Sequence, residues 1–433
     1  MTELMSPCAN FETLNAAIKA GCNSVYFGIK QLNMRTSRTK NFELKDLPKI
    51  KKICTNSKIS CYLTLNSIVY DNELKKVEKI LRKIKKHKID AVIASDWAII
   101  LMANKMKIPV HISTQQSCSN IESLKLFSKY AERIVLAREL SLKQIREIKK
   151  NIIKNKIKGS TGKLMQIECF CHGAMCISIS GRCFLSQFVY GSKFSANRGR
   201  CLQNCRREYI IKDTEKNNKI KVGQENDKAY AISPKDLCTI EILDKLVEKL
   251  DKINNCIDVL KIEGRGRSVD YIYVVTKAYR NALNVIAETS GKKNKSKIKF
   301  DAKLKKKLIN DMKKVYNRGL STGFYLGKPL NEWSKAYGSK ATEKKYLLGK
   351  VINYFKNAKV VEINIESGEV ELKIGNKIAF TGATTGYYES IVEEIRDSKT
   401  NKKVNSAKKG HKVTIKTSER LRDGDKVFIV KKR

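Results

Sequence analysis

Six cysteines crowd into one stretch, ECFCHGAMCISISGRCFLSQFVYGSKFSANRGRCLQNCRREY, as Cys169, Cys171, Cys176, Cys183, Cys201 and Cys205, and Cys238 follows in SPKDLCTI. Thiolates are the ligands of choice for zinc and for iron-sulfur clusters, so several converging thiols imply a metal. The spacing separates the two. Cys201 and Cys205 are as close as a zinc-knuckle pair, whereas Cys176 and Cys183 stand seven positions apart. Wide, uneven spacing with Gly173, Gly181 and Gly199 between the thiols suits a cluster wrapped by loops. A radical-type iron-sulfur enzyme needs a further cysteine three positions after Cys205, and Glu208 stands there. Arg182, Arg198, Arg200, Arg206 and Arg207 interleave with the thiols, where they supply charge for a cluster, a phosphate or a carboxylate.

The remaining residue types narrow the chemistry. Thirteen cysteines in a chain without a secretory pattern point to metal binding or packing rather than disulfides, and Cys22, Cys54 and Cys61 read as core fillers in apolar runs. The four histidines are His87, His111, His172 and His411. No HExxH or GxSxG motif appears, and His172 adjoins Cys171, where neighbouring side chains diverge. A nucleophile with its base is therefore hard to assemble.

Eight short apolar runs position these residues: ELMSP, SVYFGI, ISCYLTLN, AVIASD, PVHISTQ, RIVLAREL, LMQIECF and VLKIEGRG. Amphipathic helical stretches separate them, the pattern of parallel β/α units, and eight such units predict a (β/α)8 TIM-barrel-like domain over residues 1–330. Barrel chemistry gathers at the C-terminal strand ends, which carry Asn66, Ser95, Asp96, Ser113, Gln115, Arg138, Glu139, Glu168, Lys261, Glu263 and Arg265. Singly, each is also an ordinary capping or loop residue. The cysteine-rich insertion, about residues 169–238, interrupts the seventh unit, and insertions of that length are usually functional. A helix over about 268–289, the polar linker SGKKNKSKIK and a helical DAKLKKKLINDMKKVYNRG follow. From about Lys345 to Arg433 short alternating strands predict a small C-terminal all-β barrel, which binds or positions a partner.

The bulk properties favour a nucleic-acid partner. Lysine plus arginine number 88 against 43 acidic residues, a net charge of +45 over 433 residues, and this raises the local concentration of polyanions. A lysine-rich background produces the same excess on solvated helix faces such as LKKVEKILRKIKKHK, so charge alone does not choose. With no apolar run of membrane-spanning length and no signal-like start, the expectation is a cytoplasmic protein that does not enter a membrane.

At AGCNSVYFGIKQLNMRTSRTKNF, YLTLNSIVYDNEL, PVHISTQQSCSN, ECFCHGAMCISISGRCFLS, NRGRCLQNCR, SPKDLC, LKIEGRGRSVDYI and STGFYLGK the sequence resembles peptidase family U32, the collagenase-like proteases, over essentially its whole length. Although named as peptidases, better understood members are iron-sulfur proteins that hydroxylate RNA or quinone precursors without molecular oxygen. The resemblance implies a [4Fe-4S] cluster on Cys176, Cys183, Cys201 and Cys238, with Cys205 as reserve ligand; Cys169 and Cys171 depart from the family pattern and receive no role. Quinone-pathway members lack the C-terminal module. The layout is most similar to the tRNA hydroxylases that make 5-hydroxyuridine from a wobble uridine with prephenate as cosubstrate.

Taken with the strand-end residues, this reading has Glu168, Lys261, Glu263 and Arg265 handle the small carboxylate while basic loops grip tRNA phosphates. Some relatives work in pairs, which adds a paired subunit of the same family as an expected partner. A U32-type peptidase and an RNA-binding accessory protein with a structural cluster are the alternatives.

Overall fold

The computed structural model describes residues 2–37, 39–209, 215, 232–289, 300–327, 332–334 and 338–433. The linker at 290–299, the expected domain end at 330, and 210–214 and 216–231 of the insertion lie outside them.

All eight anticipated barrel strands form: β1 (Glu3–Pro7), β2 (Ser24–Gly28), β3 (Ser60–Leu65), β4 (Ala91–Ala94), β5 (Val110–Ile112), β6 (Arg133–Val135), β7 (Gln166–Gly173) and, after a short extra strand β8 (Asp236–Cys238), β9 (Val259–Ile262). Each pairs in parallel with the next, β7 pairs with β9, and β9 closes on β1 through Leu4 opposite Leu260. The fold is a closed eight-stranded parallel barrel ringed by helices.

Helix periodicity explains the ring. In the helix Leu74–Lys86, Val77, Ile80, Leu81 and Ile84 are buried at three- and four-residue spacing, which turns the lysines to solvent. Asn10, Asp96, Asn120 and Ser141 cap helices by accepting backbone amides, so Asp96, a candidate strand-end residue, has a structural task. Cys22, Cys54 and Cys61 lie in the apolar core, as expected of packing cysteines.

The insertion departs from its expected local structure. Its end forms β8, which runs antiparallel to the end of β7 with Cys238 opposite His172 and Leu237 opposite Gly173. A two-residue strand, β10 (Leu320–Ser321), then pairs in parallel with β8. Asp236 of β8 is sealed by Arg318, whose Nε and Nη2 donate to its Oδ1 at 3.0 and 2.8 Å. Only a one-turn helix, Leu243–Leu246, remains.

From Glu343 onward an eight-stranded antiparallel sheet and a two-stranded ribbon enclose a separate core that includes Val351, Ile363, Ile378, Phe380, Val413 and Ile429. This module leans on the barrel through Ala16, Val269, Ala379 and Tyr387, with the ion pair Lys345–Asp270 (2.6 Å) beside them. Among the described residues no helix is long and apolar enough to cross a membrane.

Candidate functional site

A cavity of about 150 Å³ opens at the C-terminal end of the barrel, roofed by the cysteine-rich insertion. Its floor is built by Tyr26, Thr64, Phe170, Lys261 and Arg265, and its wall by Arg35, Arg138 and Glu263. Cys176, Cys183, Cys201 and Cys205 line it from above.

The insertion is pressed onto the barrel rim at glycines. Gly181 and Gly199 have φ values of +77° and +74°, and a Cβ at either would collide, with the Gln115 side chain or with the Asn33 backbone oxygen respectively. Their role is thus close approach to the rim. Arg198 anchors the loop to Glu73 at 2.6 Å, and Arg206 donates to Ser233 Oγ, the Pro234 carbonyl and the Met175 carbonyl. Arg182 donates to the Gln115 carbonyl at 3.0 Å, whereas Arg200 and Arg207 are exposed.

Around the thiols the loop already provides donors to sulfur. The Leu185 amide reaches Cys183 Sγ at 3.4 Å, and the Gln203 amide reaches Cys201 Sγ at 3.3 Å with Gln203 in the left-handed region. Ser186 Oγ adds a contact to Cys201 Sγ at 3.7 Å. Amide bonds to sulfur stabilise thiolates and tune clusters. Burial pushes the Cys205 thiol up, Arg206 opposes this, and Cys176, Cys201 and Cys183 add to the rise.

Cys238 is not with them. It is buried on β8 with the Tyr279 hydroxyl 4.0 Å from its sulfur, and it does not line the cavity. The structure therefore brings together Cys176, Cys183, Cys201 and Cys205 and leaves Cys238 outside, because β8 pairs with β7 at the rim instead of following the loop over the cavity. Burial raises the Cys238 thiol to about 11. Cys169 and Cys171 are buried beneath the site, Cys171 Sγ contacting the Lys261 carbonyl at 3.4 Å. Among the described residues no three His, Cys, Asp or Glu side chains are drawn tightly enough to hold a single metal ion. Four thiols lining one cavity are the donor set that an iron-sulfur cluster takes.

Of the four candidate catalytic residues, three reach the cavity. Lys261, Glu263 and Arg265 line it; Glu168 does not. The sequence reading placed Glu168 at a strand end, but β7 continues to Gly173, so Glu168 faces the barrel interior with no exposed surface. There Lys261 Nζ donates to its Oε1 at 2.6 Å and Arg133 approaches at 3.6 Å. Burial opposes ionisation of Glu168, but Lys261, Arg133 and His111 outweigh it and hold the carboxyl below its usual range. Further down, Arg133 binds Glu3 at 2.7 Å and His111 Nε2 meets Glu132 at 3.0 Å. Paired charges thus fill a space that branched apolar side chains usually occupy.

Each cationic residue of the floor is engaged. Arg265 Nη1 donates to Asn33 Oδ1 (3.0 Å) and Thr64 Oγ1 (2.8 Å), and burial draws its guanidinium down to about 10. Glu263 accepts from Arg35 Nη2 at 2.8 Å; burial resists its charge, yet Arg35, Arg267 and Arg138 hold its carboxyl at about 2. Arg35 was missed as a site residue, although it sits in one of the stretches that carry the family resemblance. Asn66, Ser113 and Gln115, all strand-end candidates, also line the cavity.

The profile of peptidase family U32 matches residues 9–335. The chain belongs to that family. A protein named collagenase from Porphyromonas gingivalis is 40% identical over 431 residues, 100% of this chain and 98% of the relative. Bacillus subtilis tRNA hydroxylation protein P1 is 30% identical over 403 residues, 92% of this chain and 88% of the relative. Helicobacter pylori tRNA hydroxylation protein P is 31% identical over 333 residues, 76% of this chain and 72% of the relative. The U32 match takes in barrel strands β2 to β9 and the cysteine-rich roof.

Proposed function

We propose that this U32 protein is a cytoplasmic, iron-sulfur-dependent enzyme that hydroxylates the wobble uridine of tRNA to 5-hydroxyuridine, with prephenate as the co-reactant of that two-electron oxidation. The single observation that carries the reading is the meeting of Cys176, Cys183, Cys201 and Cys205 over a cavity floored by cationic side chains. Cys205, the reserve ligand, takes the fourth position in place of Cys238. A [4Fe-4S] cluster held by these four thiolates supplies redox-active iron. The chain's own groups do the rest: Lys261 and Arg265 keep positive charge at the floor, Glu263 fixes Arg35, and the insertion covers the site from water. The net charge of +45 and the family's tRNA-hydroxylating members support tRNA as the partner, with a paired subunit as a further one.

The name of the 40% identical relative supports peptidase chemistry as a second reading. Against it, no histidine lines the cavity: His111 is paired inside the barrel, and His172 lies between Tyr271 and Tyr279. The test is anaerobic purification with iron and sulfide analysis, then nucleoside mass spectrometry of tRNA from a deletion strain complemented with wild type or Cys176→Ala. The expected result is loss of 5-hydroxyuridine in the deletion and its return with wild type alone. Metal-free protein that cleaves peptides establishes the peptidase instead, and cluster-bearing protein with unchanged 5-hydroxyuridine leaves the RNA-binding accessory.

A further inference from the structure

Among the described residues five cationic side chains line the cavity, and four of them are already engaged by side chains or loop carbonyls. Arg35 holds Glu263, Arg206 binds three oxygens of the loop base, Lys261 is paired with Glu168, and Arg265 bonds Asn33 and Thr64. Arg138 differs. Its Nη1 donates to the Ala174 carbonyl at 2.9 Å, but Nε and Nη2 are both buried and have no hydrogen-bond partner among the described residues.

Those two nitrogens form one edge of the guanidinium, the side-on fork whose parallel N–H bonds match the two oxygens of a carboxylate. The plane is held from beneath by the Phe170 ring, with the guanidinium carbon 4.6 Å from its centroid. Burial pulls this guanidinium below its ordinary value, and Glu263, Tyr325, Cys176 and Glu139 act in the opposite direction, which sets Arg138 between the acidic wall and the thiol roof. A buried cation with two unmet donors is costly unless something supplies the acceptors. Glu263 does not supply them: the guanidinium it accepts from is that of Arg35.

We propose that Arg138 is the binding residue for a small carboxylate, which its Nε and Nη2 grip side-on above Phe170, immediately beneath the thiols. The inference rests on the hydroxylase reading only for the identity of the carboxylate. It replaces the assignment of that task to Glu168, Lys261, Glu263 and Arg265: Lys261 Nζ is paired with Glu168, Glu263 with Arg35, and Arg265 Nη1 with Asn33 and Thr64.

The test is calorimetric titration of the cluster-loaded full chain with prephenate and, separately, with malonate, comparing wild type, Arg138→Gln and Arg138→Lys. Loss of two charge-assisted hydrogen bonds predicts a Kd raised roughly 10- to 100-fold in Arg138→Gln and less in Arg138→Lys, which keeps the charge without the fork. Cluster absorbance, tRNA affinity and Tm are expected to hold in both variants. Wild type that binds malonate through Arg138 but not prephenate supports the site while removing prephenate from the proposed function. Equal Kd values in wild type and Arg138→Gln, no carboxylate binding by wild type, or weakened tRNA binding with carboxylate affinity intact would each overturn the proposal.

Discussion

Lys261 Nζ stands 2.6 Å from Glu168 Oε1 at the boundary between the cavity and the closed interior of the barrel, so one member of the pair lines the site and the other supports it from below. Both side chains are almost completely buried. Breaking such a pair by removing one charge leaves the other uncompensated and costs about 3–5 kcal/mol. Glu168→Leu and Lys261→Met are each expected to lower the thermal midpoint, and the Glu168→Leu/Lys261→Met double variant to lose less than the sum. Additive losses in calorimetric scans would show that the two residues act separately.

His172 makes acid stability testable. Burial between Tyr271 and Tyr279 draws the imidazole down to about 4 from its usual value near 6.5. The unfolded chain then binds a proton that the folded chain refuses. Its contribution is complete above about pH 6.5, falls as pH drops, and is exhausted below about 4, a loss of roughly 3 kcal/mol. His172→Phe is expected to flatten the stability profile in that window. A profile of unchanged slope would sink this account.

Cys205 and Cys238 separate two ligand sets. Cys205→Ser is expected to lose most of the iron and sulfide recovered under anaerobic purification, and Cys238→Ser to retain them. The opposite pattern would mean that β8 rearranges when the cluster binds.

Binding of tRNA is expected to weaken steeply with salt, because phosphate contacts release counterions. About six such contacts predict a loss of roughly a thousandfold between about 50 and 200 mM salt. A flat response in filter-binding measurements would count against the charged surface as the RNA interface.

Much of the fold is legible without coordinates. The eight barrel strands are separated by helices whose apolar residues recur at three and four positions, and that periodicity is local, so it survives in the chain itself. The clustering of cysteines is equally plain. Glu168 shows where local reading ends: whether a strand stops at Phe170 or runs on to Gly173 depends on what pairs with its end, and that partner, β8, lies more than sixty residues away.

The sequence by itself determined that the chain is a β/α barrel with a thiol-rich insertion and an all-β tail, because residue periodicity and composition carry those features. Only the tertiary structure decided which thiols meet. The insertion folds back over the barrel mouth and carries Cys205 with it, while the pairing of β8 to β7 removes Cys238. Tertiary packing also decided which cation has donors to spare, since Lys261 and Arg265 resemble Arg138 until Glu168, Asn33 and Thr64 are seen to occupy them. Spacing along a chain constrains which groups can meet, but the pairing of distant strands and side chains selects which do.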